Sequence, residues 1–402
     1  MKVTLEDIQK ARQVIKEVIR PTEIDKSHSA SALMGTEVFL KFENTQFTGS
    51  FKLRGAYNKI SSLTSEEKKR GVVASSAGNH AQGVAFSAAK AGVKATIVMP
   101  MAAPLIKVEA TKSYGAEVIS HGEIVDESTT RARELVTEQG FVFVHPYEDE
   151  KVIAGQGTIG LEVLERIPDL DSIVIPIGGG GLISGIATAV KAINPKCRVY
   201  GVQCAAADGM SRLFHHEAPR PAAKRISTIA DGIAIKQPSA VMYQDLLSKL
   251  VDDVVAVTDD EIAEAIVFLL ERTKTVTEGA GAAGMAGLLN RKLNLSRKTC
   301  VVLSGGNIDL NMVAKVIEKG QIRKGRLCEL AVVVDDLPGN LSRMTQAIAA
   351  LGANVLEVHH DRISSGLFLR ETRIEFVLET KNNEHIEQIK QAMVQAGGRI
   401  LS

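Results

Sequence analysis

The sequence predicts an α/β protein: a two-lobed unit built on parallel sheets, followed by a small ferredoxin-like βαββαβ domain. Three observations predict it. Strand-like runs alternate with helical patterns over roughly the first 320 residues, the order that produces parallel sheets with helices on both faces. Several of those runs are continuously apolar, as strands buried on both faces must be. After Leu310 the pattern changes to strands that alternate apolar and polar residues, as expected of a sheet with one face left for water or a partner.

Taken in order, Leu5, Ile8, Ala11, Ile15 and Val18 recur at helical spacing behind Thr4, a suitable N-cap, and Pro21 closes the segment. Strands are expected at EVFLKFE, GVVASS, KATIVMP, EVISHG, FVFVH, SIVIPI, RVYGVQ, DDVVAVT and TCVVLS. HAQGVAFSAAKAG and LISGIATAVKAI between them read as helices. So many strands exceed one modest sheet, so two lobes are expected, the smaller at roughly 50–150, with ligands at the carboxyl ends of the strands. The first unit is expected to span 1–320, with a polar, basic connector at 321–326. The remainder, 327–402, reads as strand (LAVVVDD), helix (NLSRMTQAIAAL), strand (NVLEVHHDRI), strand (TRIEFVLET), helix (NEHIEQIKQAMVQAG) and short strand (RILS).

Composition narrows the function classes. With 402 residues, 45% hydrophobic and 24% charged, the chain is neither disordered nor fibrous. A net charge of +1 gives no global field for nucleic acid or an anionic membrane, and 4% aromatic residues without Trp give no stacking platform for single strands. No nucleic-acid partner is expected. No apolar run approaches a spanning helix, and the amphipathic N-terminus has no signal-peptide core, so the expectation is a cytoplasmic protein. The four cysteines, Cys197, Cys204, Cys300 and Cys328, lack ligand spacing and read as core residues, with no metal site expected.

The chemistry is concentrated in loops rich in small residues. Gly178, Gly179, Gly180 and Gly181 follow an apolar strand and open a helix, so backbone N–H groups and the helix dipole can cradle a phosphate. No Walker Lys follows, and Gln203 stands where a ribose-binding acid would be wanted, which argues against a nucleotide. Gly279, Gly281 and Gly284 do match a dinucleotide fingerprint, the basis for an alternative reading as a nicotinamide oxidoreductase. They follow a helical run instead of a strand, so they read as packing glycines. Ser76, Ala77, Gly78, Asn79 and His80 also end a strand and open a helix, a place for an anion such as a carboxylate. Ser304 closes another strand. Lys52, in the Gly-flanked turn SFKLRGA, has the setting of a neutral, nucleophilic amine.

SFKLRGA, SSAGNHAQG, GGGGL and SGGN, in this order, resemble the pyridoxal-phosphate (PLP) enzymes of the tryptophan-synthase β-like fold (fold type II), and within them the threonine dehydratases. KFENTQFTGSFKLRGA, HPYED and TIADGIAI extend the resemblance over roughly residues 1–320. The resemblance implies PLP as cofactor. Lys52 would form the Schiff base and later take the substrate's Cα proton, with Phe51 beside it at the cofactor. Gly178 to Gly181 and Leu182 would hold the cofactor phosphate, Asn79 the ring hydroxyl oxygen, and Ser304 would face the pyridine nitrogen. The loop from Ser76 to His80 would hold the substrate carboxylate. A neutral hydroxyl at Ser304 favours elimination, because it does not deepen the electron sink. The implied reaction is L-threonine to 2-oxobutanoate and ammonia, a carbon–oxygen lyase activity, with L-serine to pyruvate as a slower reaction.

Departures sharpen this. Serine racemases of the family carry Ser where this chain has Ala77, so a serine dehydratase or racemase is the nearest alternative but lacks its second acid/base. Gln203 and Gly209 replace two acids of a divalent-metal loop, leaving Asp208. The tail resembles an ACT regulatory domain, in which Asp336, Pro338, Gly339, Asn340 and Leu341 would form an amino-acid effector site. A homo-oligomer, tetramer or dimer, is what the resemblance suggests. A catalytically silent amino-acid sensor is the remaining alternative, and Lys52 argues against it.

Overall fold

The computed structural model describes residues 1–221, 226–362 and 367–401. It divides into two compact units, Met1–Ile308 and Asp309–Ser402. The division falls before the helix Leu310–Arg323, which belongs with the second unit, and not after residue 320. The expected connector at 321–326 is correspondingly shorter, because its first residues are helical through Arg323 and the next strand begins at Leu327.

The first unit holds two sheets. Its strands are β1 (Ile24–Lys26), β2 (Glu37–Lys41), β3 (Val72–Ser75), β4 (Ala95–Met99), β5 (Glu117–Ser120), β6 (Val142–Phe143), β7 (Ser172–Pro176), β8 (Arg198–Cys204), β9 (Asp253–Val257) and β10 (Lys298–Val302). The larger sheet has the order β1-β2-β10-β7-β8-β9, parallel except for β1, which pairs antiparallel with β2. The smaller sheet is fully parallel, in the order β5-β4-β3-β6. Every residue of β3, β4 and β7 is buried, which accounts for their largely apolar character. Strand β1 was not anticipated; three residues reading Ile-Asp-Lys carry no period to detect.

Helices cover both sheets, and some of them approach backbone to backbone. A Cβ at Gly155 would lie 2.6 Å from the Arg54 carbonyl oxygen and the Gly55 Cα, and one at Gly185 would lie 2.3 Å from the Ile153 carbonyl oxygen. Glycines therefore let the helix Glu150–Arg166 seat Lys52–Ser61 on one side and Gly181–Ile193 on the other. The first of these neighbours begins at the candidate lysine, the second at the glycine loop.

A buried ionic cluster fixes the same region. Arg54 is fully buried and makes paired hydrogen bonds to Glu43 (2.8 and 2.8 Å) and to Glu162 (2.6 and 2.9 Å), with a further one to Thr158 (3.0 Å). Lys41, also fully buried, adds a contact to Glu162 at 2.5 Å. Two cations and two carboxylates balance, which is the condition under which buried charge is tolerated.

The second unit contains Leu310–Arg323 and then β11 (Leu327–Asp335), a helix at Asn340–Ala350, β12 (Asn354–Asp361), β13 (Glu371–Glu379), a helix at Asn383–Gln395 and β14 (Arg399–Leu401). The antiparallel sheet has the order β12-β13-β11-β14, the βαββαβ topology read from the sequence. Alternate residues Thr372, Ile374, Phe376 and Leu378 of β13 are buried, as the period-two pattern requires. The expected last residues of NVLEVHHDRI and RILS, Ile363 and Ser402, lie outside the described residues.

Candidate active site

Lys52 is the first residue of its helix, and two contacts place it at the end of the larger sheet. The Phe51 N–H donates to the Ser304 carbonyl oxygen at 3.1 Å, and Ser50 bridges to Gly305. The Lys52 ammonium donates to the Pro146 carbonyl oxygen at 2.9 Å and stands 5.3 Å from the Phe51 ring. Burial pushes the amine down to about 8, with Glu278 opposing that shift. A buried amine that loses its proton near neutrality is the nucleophile that imine chemistry needs.

The glycine loop meets the same neighbourhood through the segment after Pro146. Gly180 has φ +98°, a conformation that favours glycine, and serves as N-cap of Gly181–Ile193. A Cβ at Gly179 would lie 2.3 Å from the Tyr147 ring, and one at Gly181 2.9 Å from the Tyr147 Cα. The first N–H groups of that helix have no intrahelical acceptor and carry the positive end of its dipole. Leu182 is buried, with its side chain in the core.

The loop at 76–80 joins these elements from the smaller sheet. The Gly78 N–H donates to the Ser76 hydroxyl at 3.1 Å, and a Cβ at Gly78 would find nothing within 4 Å, so this backbone faces open space. Ala77 is partly buried against the smaller-lobe core. The His80 side chain turns the other way: it is buried, its Nε2 lies 2.8 Å from the Val144 carbonyl oxygen, and burial followed by the nearby Lys52 charge pushes it down to about 3. Only the backbone of His80 is left for an anion.

Asn79 is held at both ends of its amide. Its Oδ1 accepts from Asn307 Nδ2 at 2.7 Å, and its Nδ2 donates to Glu278 Oε1 at 2.5 Å. Asn307 also donates to the Thr48 carbonyl oxygen at 2.8 Å. Glu278 is buried; burial, with Asp231 adding like charge, pushes its carboxyl up to about 7 against the pull of Asn79, Lys107 and Lys52. His145 is also held neutral, pushed down to about 4 by burial, and its Nδ1 accepts the Glu148 N–H at 2.7 Å.

Sequence reasoning assigned no role to Glu278, Asn307 or Tyr147. Asn307 stands in SGGN and Tyr147 in HPYED, both already singled out. Glu278 directly precedes the fingerprint glycines, and these pack as expected: a Cβ at Gly281 would lie 2.1 Å from the Gly305 carbonyl oxygen. Asp208 is ion-paired with Arg220 at 2.8 Å, and Gln203 accepts from the Ser211 N–H at 2.8 Å. Among the described residues no His, Cys, Asp and Glu cluster has the makings of a metal site, and no helix is long and apolar enough to cross a membrane. Cys197, Cys204, Cys300 and Cys328 are buried and unpaired.

The effector residues expected in the second unit lie together. Asp336, Pro338, Gly339, Asn340 and Leu341 line a cavity of about 460 Å³ with His360 and Arg362. Arg362 Nε donates to both Asp336 oxygens at 3.1 Å, and Asn340 donates to the Asp335 carbonyl oxygen at 2.6 Å.

Comparison with known proteins places the chain among related enzymes. The sequence profile of the family described as "Pyridoxal-phosphate dependent enzyme" matches residues 15–305. An L-threonine ammonia-lyase of Thermotoga maritima is 48% identical over 396 residues, 98% of each chain. A catabolic L-threonine dehydratase of Escherichia coli is 48% identical over 317 residues, 78% of this chain and 96% of its own. Among solved structures, maize serine racemase is similar with a TM-score of 0.74 and 35% identity, covering 79% of this chain and 98% of its own.

Proposed function

The chain belongs to the family of pyridoxal-phosphate dependent enzymes, and from that premise we propose that it is a lyase converting L-threonine to 2-oxobutanoate and ammonia, with L-serine to pyruvate as a slower reaction. The observation that carries the proposal is Lys52, a buried amine at a helix start, bonded to the Pro146 carbonyl oxygen beside the Tyr147 ring that seats the glycine loop. When bound, PLP supplies an imine linkage and an electron sink for the substrate Cα.

The residues fit that group. Lys52 would hold the cofactor and take the Cα proton. Backbone N–H groups from Gly178 to Leu182 would hold its phosphate, the Ser76–His80 loop would hold the substrate carboxylate, Asn79 would donate to the ring oxygen, and the Ser304 hydroxyl would serve the ring nitrogen. The neutral hydroxyl suits elimination. The likeness to maize serine racemase favours racemisation as the second reading. Ala77 opposes it, because a methyl group supplies no proton on the face opposite Lys52.

The second unit reads as an ACT-like regulatory domain that binds an amino acid between 335 and 341. The E. coli relative matches over 317 residues with nearly its whole length, so related chemistry runs without this unit. Exposed Leu356 and Val358 on the edge strand β12 suit a homo-oligomer, dimer or tetramer.

The test is purification with PLP, an absorbance scan, borohydride reduction with peptide mapping, and product analysis. Expected are a visible chromophore, the label on Lys52, and keto acid released faster from L-threonine than from L-serine. A colourless protein, a label elsewhere or substantial D-serine from L-serine would refute the proposal.

A further inference from the structure

We propose that Glu278 is a positioning residue for the cofactor ring: it locks the Asn79 amide so that one N–H is left for the ring hydroxyl oxygen, and its own carboxyl is the group through which solution pH reaches that contact. The inference rests on the PLP reading above.

Geometry carries it. An amide has one acceptor oxygen and two N–H donors. Asn307 occupies the Asn79 oxygen and Glu278 takes one donor, which fixes which edge of the amide points at the site. Glu278 is itself immobilised. It is the N-cap of Gly279–Leu289, its N–H donates to the Gly305 carbonyl oxygen at 3.1 Å, and a Cβ at Gly305 would lie 2.4 Å from its Oε1. Glycine at position 305 thus leaves the room that this carboxylate takes up.

The charged groups facing Glu278 come from different elements. Asp231 lies in the turn Asp231–Ile233 and is ion-paired with Lys107 of the helix Leu105–Ser113 at 2.9 Å; Lys52 opens its own helix. Burial and Asp231 favour the protonated acid, and Asn79, Lys107 and Lys52 favour the anion, so the carboxyl exchanges its proton near neutrality. As an anion it polarises the Asn79 amide against further donation and repels the negative ring oxygen. As a neutral acid it still accepts from Asn79 without that repulsion.

The experiment measures PLP dissociation constants, alongside circular dichroism, for wild type, Glu278→Gln and Glu278→Ala across pH. Gln keeps the acceptor and cannot ionise. The Kd ratio of wild type to Glu278→Gln should be near one at about pH 6 and rise about threefold or more by about pH 8. Ionisation of PLP itself cancels in that ratio. Glu278→Ala should weaken binding about tenfold at every pH, because the amide loses its orientation. A flat ratio across pH, with both proteins binding PLP, overturns the inference. If neither binds PLP saturably, the proposed function falls instead, and this inference with it.

Discussion

Arg54→Met tests whether the buried cluster holds the active-site helix in place. The substitution removes five hydrogen bonds, two to Glu43, two to Glu162 and one to Thr158. Glu162 suffers less, because it is 21% exposed and keeps Lys41. Glu43 is fully buried and retains only Thr22 and the more distant Lys41 at 3.7 Å. Stranding such a carboxylate costs about 3–5 kcal/mol. Adding Glu43→Gln removes the stranded charge and should restore about 2 kcal/mol of that. Burial alone would raise the Glu43 carboxyl, but Arg54 holds it below its ordinary range. A depressed carboxyl stabilises above the unfolded pKa and loses that stabilisation as pH falls. The gap between wild type and variant should therefore narrow below about pH 5. Urea unfolding followed by circular dichroism gives both quantities. A gap under about 1 kcal/mol that ignores pH would refute the reasoning.

Other outcomes follow from the same contacts. Lys52→Ala should abolish keto acid release and borohydride labelling with an unchanged circular dichroism spectrum; residual turnover near wild type would remove Lys52 from the chemistry. The rate at which PLP loads onto the cofactor-free protein should rise with pH through about 8, because only the neutral Lys52 amine attacks; stopped-flow absorbance across pH measures it. Gly179→Ala places a methyl 2.3 Å from the Tyr147 ring and should weaken PLP binding by about tenfold or more, with Tyr147→Ala restoring part of it. As a test of the proposed effector site, Asp336→Ala should change the response of turnover to added amino acids while leaving turnover without them within about twofold, since the residue lies in the second unit.

What was legible in the sequence follows from locality. Strands such as SIVIPI announce themselves because both faces are buried and no polar residue interrupts them. The glycine loop is legible because its chemistry is backbone chemistry at consecutive residues. Strand β1 is silent, being three residues paired with β2, with Ile24 packed against the core. The last turn of the helix Leu310–Arg323, from residue 321, passed for part of a polar connector because the helix buries little beyond Val316 and Gly320, too few positions for an apolar stripe. Glu278 could not be found by pattern. Its meaning comes from Gly305, Asn79 and Asp231, which reach it from distant parts of the chain.

The backbone contact among the helices at 52–61, 150–166 and 181–193 has a consequence for how this catalyst can be altered. Where side chains separate two helices, a substitution shifts the spacing and a neighbouring one can shift it back. Here Gly55 against Gly155, and Gly157 against Gly185, leave no side chain to exchange. The distance from the Lys52 amine to the glycine loop is thus a constant of the scaffold, closed to incremental adjustment. The open backbone at Gly78 is not bound into that stack. A mutant library aimed at new amino acids should leave the stack untouched and spend its diversity at 76–80.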